Sequence, residues 1–251
     1  MAETLKKLDE LVALCKRRGF IFQSSDIYGG LASCYDYGPL GVELKRNVKN
    51  QWWKSVVQMR DDMVGLDCSI LMHPLVWKAS GHVDKFADLI AECKKCNTRT
   101  RVDHLKGAEG EETTHHSHAE VSENNLVSKI CPNCGAKGQF TKPMPFKLMF
   151  ETQMGANAED SMTLYLRPET AQGIFANFRN VLDTTRIKVP FGIAQMGKSF
   201  RNEVTTKAFI FRTREFEQME IEFFCKPGTD EQWYEHWKEQ RLNWYTDLGI
   251  R

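Results

Sequence analysis

Apolar residues recur three and four apart at Leu5, Leu8, Leu11, Val12 and Cys15, which predicts an amphipathic helix over 3–18. A second helix is predicted from Val42, where Leu44, Val48, Trp52, Val56 and Met59 share one face. Between them, 24–41 reads SSDIYGGLASCYDYGPLG, a Gly-rich, aromatic loop with structure of its own. Residues 63–73 are apolar and strand-like, ending at Pro74. LMFET (148–152) and SMTLYL (161–166) read as strands. Pro168 is expected to open a helix whose buried stripe is Ala171, Ile174, Phe175 and Phe178. Two strands are predicted over 191–203 and 211–224, joined by a polar loop at 204–209. A last helix over 230–248 carries Trp233, Trp237, Leu242 and Tyr245. This order is not a regular alternation of strand and helix. It predicts an α+β fold, an antiparallel β-sheet flanked by helices packed to one side.

One stretch breaks the pattern. Residues 107–129 hold five Glu against one Lys, together with His115, His116 and His118, and few large apolar residues. Such a segment cannot bury a core, so 93–140 reads as a small Cys-rich insertion with a mobile middle. Two C-x-x-C pairs close its base, Cys93/Cys96 and Cys131/Cys134. Four thiolates at this spacing suit a tetrahedral, structural Zn²⁺ with no open position for catalysis. The alternatives are four ordinary thiols, or His104 or His115 in place of one cysteine. The other cysteines, Cys15, Cys34, Cys68 and Cys225, are scattered.

Composition adds bounds. The chain has 251 residues, 41 % of them apolar, with 15 Phe and 6 Trp to fill a core. No apolar run approaches the ~20 residues of a membrane-spanning helix, and the first residues lack a signal-peptide core. A cytoplasmic protein that makes no use of a membrane is the expectation. The net charge of +1 excludes a globally basic nucleic-acid binder, so any RNA contact must be local.

The predicted hairpin carries the candidate chemistry. Side chains two apart on a strand look the same way, so Arg201 and Glu203 share a face, as do Arg212, Phe216 and Glu220. Phe211, Met219, Ile221 and Phe223 form the other, core-like face, broken by Glu215 and Glu217. Two guanidinium groups suit phosphate oxygens, a ring suits a base, and a carboxylate suits an ammonium group. Arg212 and Glu220 would lie roughly 26 Å apart on a straight strand, before twist shortens the span. Solvated charges on an exposed hairpin are the plainer alternative for any one of these residues.

FRNE (200–203), a short loop and RTREF (212–216) resemble motif 2 of the class II aminoacyl-tRNA synthetases. The longer run FRNEVTTKAFIFRTREFEQMEIEFF is similar to the glycyl-tRNA synthetases in particular, as are YGGLASCYDYGPLG, HPLVWKASGHV (73–83) and YLRPETAQGIFANF (165–178). The resemblance implies a class II synthetase catalytic fold, here incomplete. It divides the chain into 1–92 with motif 1, a zinc-binding insertion at 93–140, and 141–251 with motif 2. It implies homodimerisation through motif 1 at 41–74. It further implies ATP with Mg²⁺, glycine and tRNA(Gly) as partners, in a glycine–tRNA ligase reaction.

Site residues follow from the same resemblance. Arg201 would bind the α-phosphate and the glycine carboxylate, Glu203 the adenine side, and Arg212 the γ-phosphate. Phe216 would stack on adenine. Asn202, Phe211, Thr213, Arg214 and Glu215 complete the ATP-binding set. Glu169 and Glu220 would receive the glycine ammonium, with Arg101, Phe216, Glu217, Gln218 and Met219 in the substrate-binding set. Selection of glycine must work by steric rejection, because one methyl group gives only ~1–3 kcal/mol in favour of a larger rival.

Motif 3 and an anticodon-binding domain are not found in the sequence, so weak or no activity is expected of this chain alone. Robust glycine-dependent ATP–pyrophosphate exchange would refute that. Two other readings remain. One is a non-catalytic synthetase-like module for dimerisation or RNA binding. The other is a phosphate-binding loop at GIAQMGKS (192–199), which matches G-x-x-x-x-G-K-S but needs a strand before it and a helix after it. In the favoured reading Lys198 is an incidental surface residue.

Overall fold

The computed structural model describes residues 8–106, 126–157, 160–204 and 209–250. Leu5 and the histidines 115, 116 and 118 lie outside the described residues. In chain order the elements are α1 Leu8–Arg17, β1 Ile21–Gln23, β2 Tyr35–Tyr37, α2 Pro39–Trp53, β3 Met63–Leu66, β4 Leu71–Met72, α3 Pro74–Ala79 and α4 His82–Lys85. They continue as β5 Ala87–Glu92, β6 Arg99–Arg101, β7 Met144–Lys147, β8 Glu151–Met154, β9 Met162–Leu166, α5 Ala171–Thr185, β10 Phe191–Phe200, β11 Glu215–Phe224 and α6 Asp230–Asp247. The chain divides into two compact units. The first comprises Met1–Leu44, Ile70–Glu169 and Lys198–Phe216, and the second Lys45–Ser69, Thr170–Gly197 and Glu217–Arg251.

The first unit holds three small antiparallel sheets, β1–β2, β4–β9–β8 and β6–β5–β7. The apolar stretch expected as one strand over 63–73 is split: β3 and β4 belong to different sheets, and Pro74 opens α3 at its first turn. Below β5 a cluster of Ala91, Cys93, Leu105, Leu126, Cys131 and Phe140 forms a core of its own. The Cys-rich segment therefore buries apolar area at its base, although its polar middle could not.

The second unit is built on β11–β10–β3. β3 and β10 run parallel, with Gly192 opposite Met63 and Gln195 opposite Leu66. The long intervening chain makes that direction possible. Both faces of this sheet are apolar. On one, Met63, Ala194, Ile221 and Phe223 meet Trp52 and Val56 of the α2 segment and Trp244 of α6. On the other, Val64, Phe191, Ile193 and Phe224 meet Ile174, Phe178 and Val181 of α5. Helices thus cover both faces rather than one. The α+β class stands, but the alternation along β10 is apolar on both sides, as a doubly covered strand requires.

Local departures have local causes. α5 starts at Ala171, with Thr170 at the N-cap position but making no side-chain cap bond, so Pro168 precedes the helix instead of opening it. Its expected stripe holds at Ala171 and Ile174, whereas Phe175 is half exposed. GIAQMGKS lies inside β10, and among the described residues no helix directly follows it, which argues against the phosphate-loop reading. The first long strand ends earlier than expected and the second begins later. β10 stops at Phe200 and β11 begins at Glu215, so Arg201, Glu203 and Arg212 lie past the strand ends.

Candidate functional site

Arg201 follows β10 directly, and its backbone N–H donates to the Arg214 carbonyl at 2.9 Å. Its Nε donates to the Pro168 carbonyl at 3.0 Å. One Nη lies 3.9 Å from the Glu169 carboxylate, longer than a hydrogen bond. The guanidinium carbon lies 5.4 Å from the ring centroids of both Phe86 and Phe216, within cation–π range. The side chain keeps 31 % of its exposure. The group is thus aimed by a carbonyl and two rings, while among the described residues its outer nitrogens hold a loose charge contact to Glu169.

Glu169 is shared. Its other oxygen lies 3.4 Å from His82 Nε2, and His82 Nδ1 lies 2.8 Å from Ser80 Oγ. The imidazole packs edge-on against Trp77, which is wholly buried. Glu203 is buried at 7 % exposure and pairs with Arg212, Nε to Oε2 3.0 Å. The Glu203 carbonyl accepts from Arg214 Nη2, whose Nη1 donates to the Ala32 carbonyl at 2.7 Å. Arg214 thereby ties the chain before β11 to the Gly-rich loop, because its own N–H also reaches the Ser33 carbonyl at 3.0 Å.

Arg101 is more fully engaged. It makes a fork to Asp103 at 3.0 and 2.7 Å and a contact to Asp88 at 3.0 Å. The Asp103 hydrogen bond, with the charges of Asp88 and Asp103, raises its pKa further above the ordinary value against the opposing effect of burial. Lys198 pairs with Glu215 at the surface. Asn202 donates its N–H to the Leu148 carbonyl at 2.8 Å, and Thr213 Oγ1 donates to the Glu215 carbonyl at 2.8 Å. Phe211, expected on the core-like face, is 74 % exposed because it sits in a short turn before β11.

Within the second unit, β11 sorts the expected substrate residues by face. Glu220 accepts a short hydrogen bond from Thr170 Oγ1, and Gln218 Oε1 accepts from the Thr170 N–H at 3.2 Å. Thr170 itself is fully buried. Glu217 and Met219 point the other way. Glu217 pairs with Lys45 and with Lys49, the latter at 2.6 Å, and Met219 lines a cavity with α6. Burial would raise the Glu217 pKa, but the hydrogen bonds from Lys45 and Lys49 outweigh it and hold the carboxyl below 4.5.

The four cysteines converge. Cys93 and Cys134 have sulfurs 3.7 Å apart, Cys96 and Cys131 3.6 Å, and all four lie within 4.8 Å. Four sulfurs about 2.3 Å from a tetrahedral centre would be spaced by about 3.8 Å, whereas a disulfide needs ~2.05 Å. The donor set therefore fits a metal ion. Two turns of the same build present them. In each, the N–H after the second cysteine returns to the carbonyl of the first, Asn97 to Cys93 at 2.8 Å and Gly135 to Cys131 at 3.0 Å. Asn97 and Gly135 have φ of 55° and 69°, a conformation these two residue types tolerate best. The Thr98 side chain and amide lower the Cys96 pKa to about 6. Cys134 is raised to about 11: the Ala136 amide lowers it, but burial and the neighbouring thiols prevail. Thiols so close ionise together only with a cation between them.

Sequence reasoning missed the groups that aim these residues. His82 and Thr170 lie inside segments singled out for resemblance, HPLVWKASGHV and YLRPETAQGIFANF, but nothing in their spacing marked a role. Phe86, four residues after His82, carried no signal.

The family described as the tRNA synthetase class II core domain (G, H, P, S and T) matches residues 150–251. A glycine–tRNA ligase of Streptomyces coelicolor is 57 % identical over 245 residues, 98 % of this chain and 52 % of the relative. Those of Thermobifida fusca and Treponema denticola are 54 % and 52 % identical, over 100 % and 97 % of this chain and 53 % and 50 % of the relatives. The chain is a homologue of the glycine–tRNA ligases. It carries the class II core domain in residues 150–251 and spans about half the length of the curated relatives it matches. A solved structure of the RNA-binding domain of threonyl-tRNA synthetase from Cryptosporidium parvum superposes with a TM-score of 0.59 over 94 % of this chain and 42 % of that one. At 15 % identity that likeness speaks for the fold alone. The class II core match begins at Phe150, so it takes in Glu169, Arg201 and Arg212 but leaves the four cysteines outside.

Proposed function

We propose that this chain supplies the glycine-activating core of a glycine–tRNA ligase. The glycine carboxylate oxygen attacks the α-phosphorus of ATP, the bond from that phosphorus to the bridging oxygen breaks, and glycyl-adenylate and pyrophosphate form. The glycyl group then passes to tRNA(Gly). Arg201 carries the reading. A half-exposed guanidinium, fixed by the Pro168 carbonyl and flanked by Phe86 and Phe216, can exchange its 3.9 Å contact with Glu169 for shorter bonds to anionic oxygens. Charge developing on the α-phosphoryl oxygens is then met by a donor already in place.

Around it Phe216 takes the adenine, Arg212 on Glu203 the γ-phosphate, and Glu169 the glycine ammonium. Glu169 lies 3.4 Å from His82 Nε2, a contact that would help aim the carboxylate at the ammonium. Mg²⁺ arriving with ATP supplies charge screening of the phosphates. The four cysteines hold Zn²⁺ in a closed, structural role. Residues 41–74 form the homodimer contact, and the protein works in the cytoplasm. Among the described residues, no helix is long and apolar enough to cross a membrane.

The test is calorimetric binding of a non-hydrolysable glycyl-adenylate analogue to the chain. Binding is expected with glycyl preferred over alanyl, and Arg201→Ala should weaken it about 10²–10³-fold, the range for losing one preorganised donor. Lys198→Ala, which breaks only a surface pair, should change it little. Equal affinity of wild type and Arg201→Ala, or no analogue binding, would favour a non-catalytic module instead.

A further inference from the structure

Arg167 carries a guanidinium that the activation chemistry above leaves unused, although the residue is only 2 % exposed. Burying such a charge is costly, so the groups it reaches show what it is kept for. Its Nε donates to the Lys198 carbonyl at 2.8 Å. Its backbone carbonyl accepts from the Phe200 N–H at 2.9 Å, and its own N–H donates to the Ile70 carbonyl at 3.3 Å. Side chain and backbone of one residue thus grip two points, two residues apart, at the end of β10. The neighbouring Pro168 is fully buried and has no N–H to donate. Of these two residues, it is the Arg167 side chain that gives the end of β10 a donor.

These bonds join the two groups that the activation reading assigns to glycine. Glu169 stands two residues after Arg167, and Arg201 one residue after Phe200. Between them falls the bond from Arg201 Nε to the Pro168 carbonyl, at 3.0 Å. The Glu169 and Arg201 charges face each other at 3.9 Å. An α-amino acid carries its ammonium and its carboxylate on one carbon. A carboxylate for the first and a guanidinium for the second therefore serve the same ligand only at a fixed spacing. Constellations of this kind need their groups held to within about 0.5 Å. A slip of 167–169 along 198–201 would leave each charge intact and spoil the pair.

We propose that Arg167 is a positioning residue for glycine activation: by gripping the backbone at Lys198 and Phe200 it sets the spacing between Glu169 and Arg201, and so lets the site hold both ends of glycine at once. The proposal rests on the roles given to Glu169 and Arg201 above. It adds a buried residue that touches neither substrate nor ATP.

The experiment measures, by calorimetry on the 251-residue chain, how much the ligand ammonium is worth. One ligand is a non-hydrolysable glycyl-adenylate analogue, the other its acetyl counterpart, in which hydrogen replaces the ammonium group. The wild type should prefer the first by about 10–100-fold, the range for a hydrogen bond to a charged group. Arg167→Met removes the donor and should cut that preference to about fivefold or less, the level of a screened, unaligned pair. Arg167→Lys keeps a donor and should retain more of it. Partial unfolding of a variant lowers both affinities alike and leaves their ratio, so the ratio separates positioning from stability. A second measurement needs no variant. In the wild type at saturation, the glycyl analogue should slow hydrogen exchange at the Phe200 amide, which bonds the Arg167 carbonyl, more than the acetyl analogue does. The proposal is overturned by an Arg167→Met chain that keeps the wild-type preference, or by equal protection of the Phe200 amide with both analogues; either result leaves the Glu169 and Arg201 roles standing. A wild type that binds both analogues equally removes those roles and this proposal together.

Discussion

Replacing Cys131 by serine should abolish tight zinc binding. Cys131 is 1 % exposed, its sulfur lies 3.6 Å from that of Cys96, and its side chain packs among Ala91, Leu105, Leu126 and Phe140. Structural zinc sites contribute about 10–16 kcal/mol of apparent binding free energy at neutral pH. Shared equally, each of four thiolates accounts for about 2.5–4 kcal/mol, or about 10²–10³ in affinity at 1.4 kcal/mol per tenfold. The serine hydroxyl adds a buried polar group in an apolar cluster, at a further ~1–3 kcal/mol. Zinc retention during dialysis against a competing chelator, measured as moles of metal per mole of chain, checks the first figure. Hydrogen exchange over β5, β6 and β7 checks the second, because β5 runs straight into Cys93 and the Phe140 bridge. The wild type should retain one zinc, Cys131→Ser none, and Cys15→Ser one. Zinc held equally well by Cys131→Ser would refute the tetrathiolate reading. So would a metal-free wild type with unchanged protection over β5–β7.

Three further outcomes are expected. Gly135→Ala should cost about 1 kcal/mol, from the positive φ of 69° alone, since no atom lies within 4 Å of the added carbon; urea unfolding measures it. Thr170→Val keeps the shape of a fully buried side chain but strands the Glu220 carboxylate, and should cost about 1–3 kcal/mol in the same assay. Glu217→Gln should cost about 0–1 kcal/mol at neutral pH, because the pair with Lys45 and Lys49 is partly screened. Its folded carboxyl titrates below 4.5, so the stability it contributes is present above that pH and lost as pH falls through the folded value. Stability against pH should therefore show wild type and variant converging in acid; a gap that widens there would contradict the pairing.

Much of the fold was legible because burial leaves a period. Trp52 and Val56, and Ala171 and Ile174, announced two helices, and all four are buried. Local chemistry was legible too, since C-x-x-C fixes two sulfurs on one turn and four of them meet within 4.8 Å. Pairing was not legible. β3 and β4 read as one apolar run, yet irregular chain at 67–70 separates them and they join different sheets. The parallel partnership of β3 with β10 joins residues far apart in sequence, for which periodicity carries no information.

The candidate site shows why alternation alone fell short. Face-sharing along a strand separated Glu220 from Met219 and Ile221, because all three lie inside β11. It could not place Arg201, Glu203 or Arg212, which lie past the strand ends where the two-residue period lapses. There the aim of each side chain is set by particular partners instead: the Pro168 carbonyl for Arg201, and Glu203 for Arg212. Chemistry placed at the margins of rigid elements gains backbone shapes that a ladder forbids while keeping the ladder's stiffness beneath it. The residues that do the aiming, Pro168, His82 and Phe86, contact the functional groups without resembling them, so they emerge from three-dimensional proximity and not from any pattern of residue types.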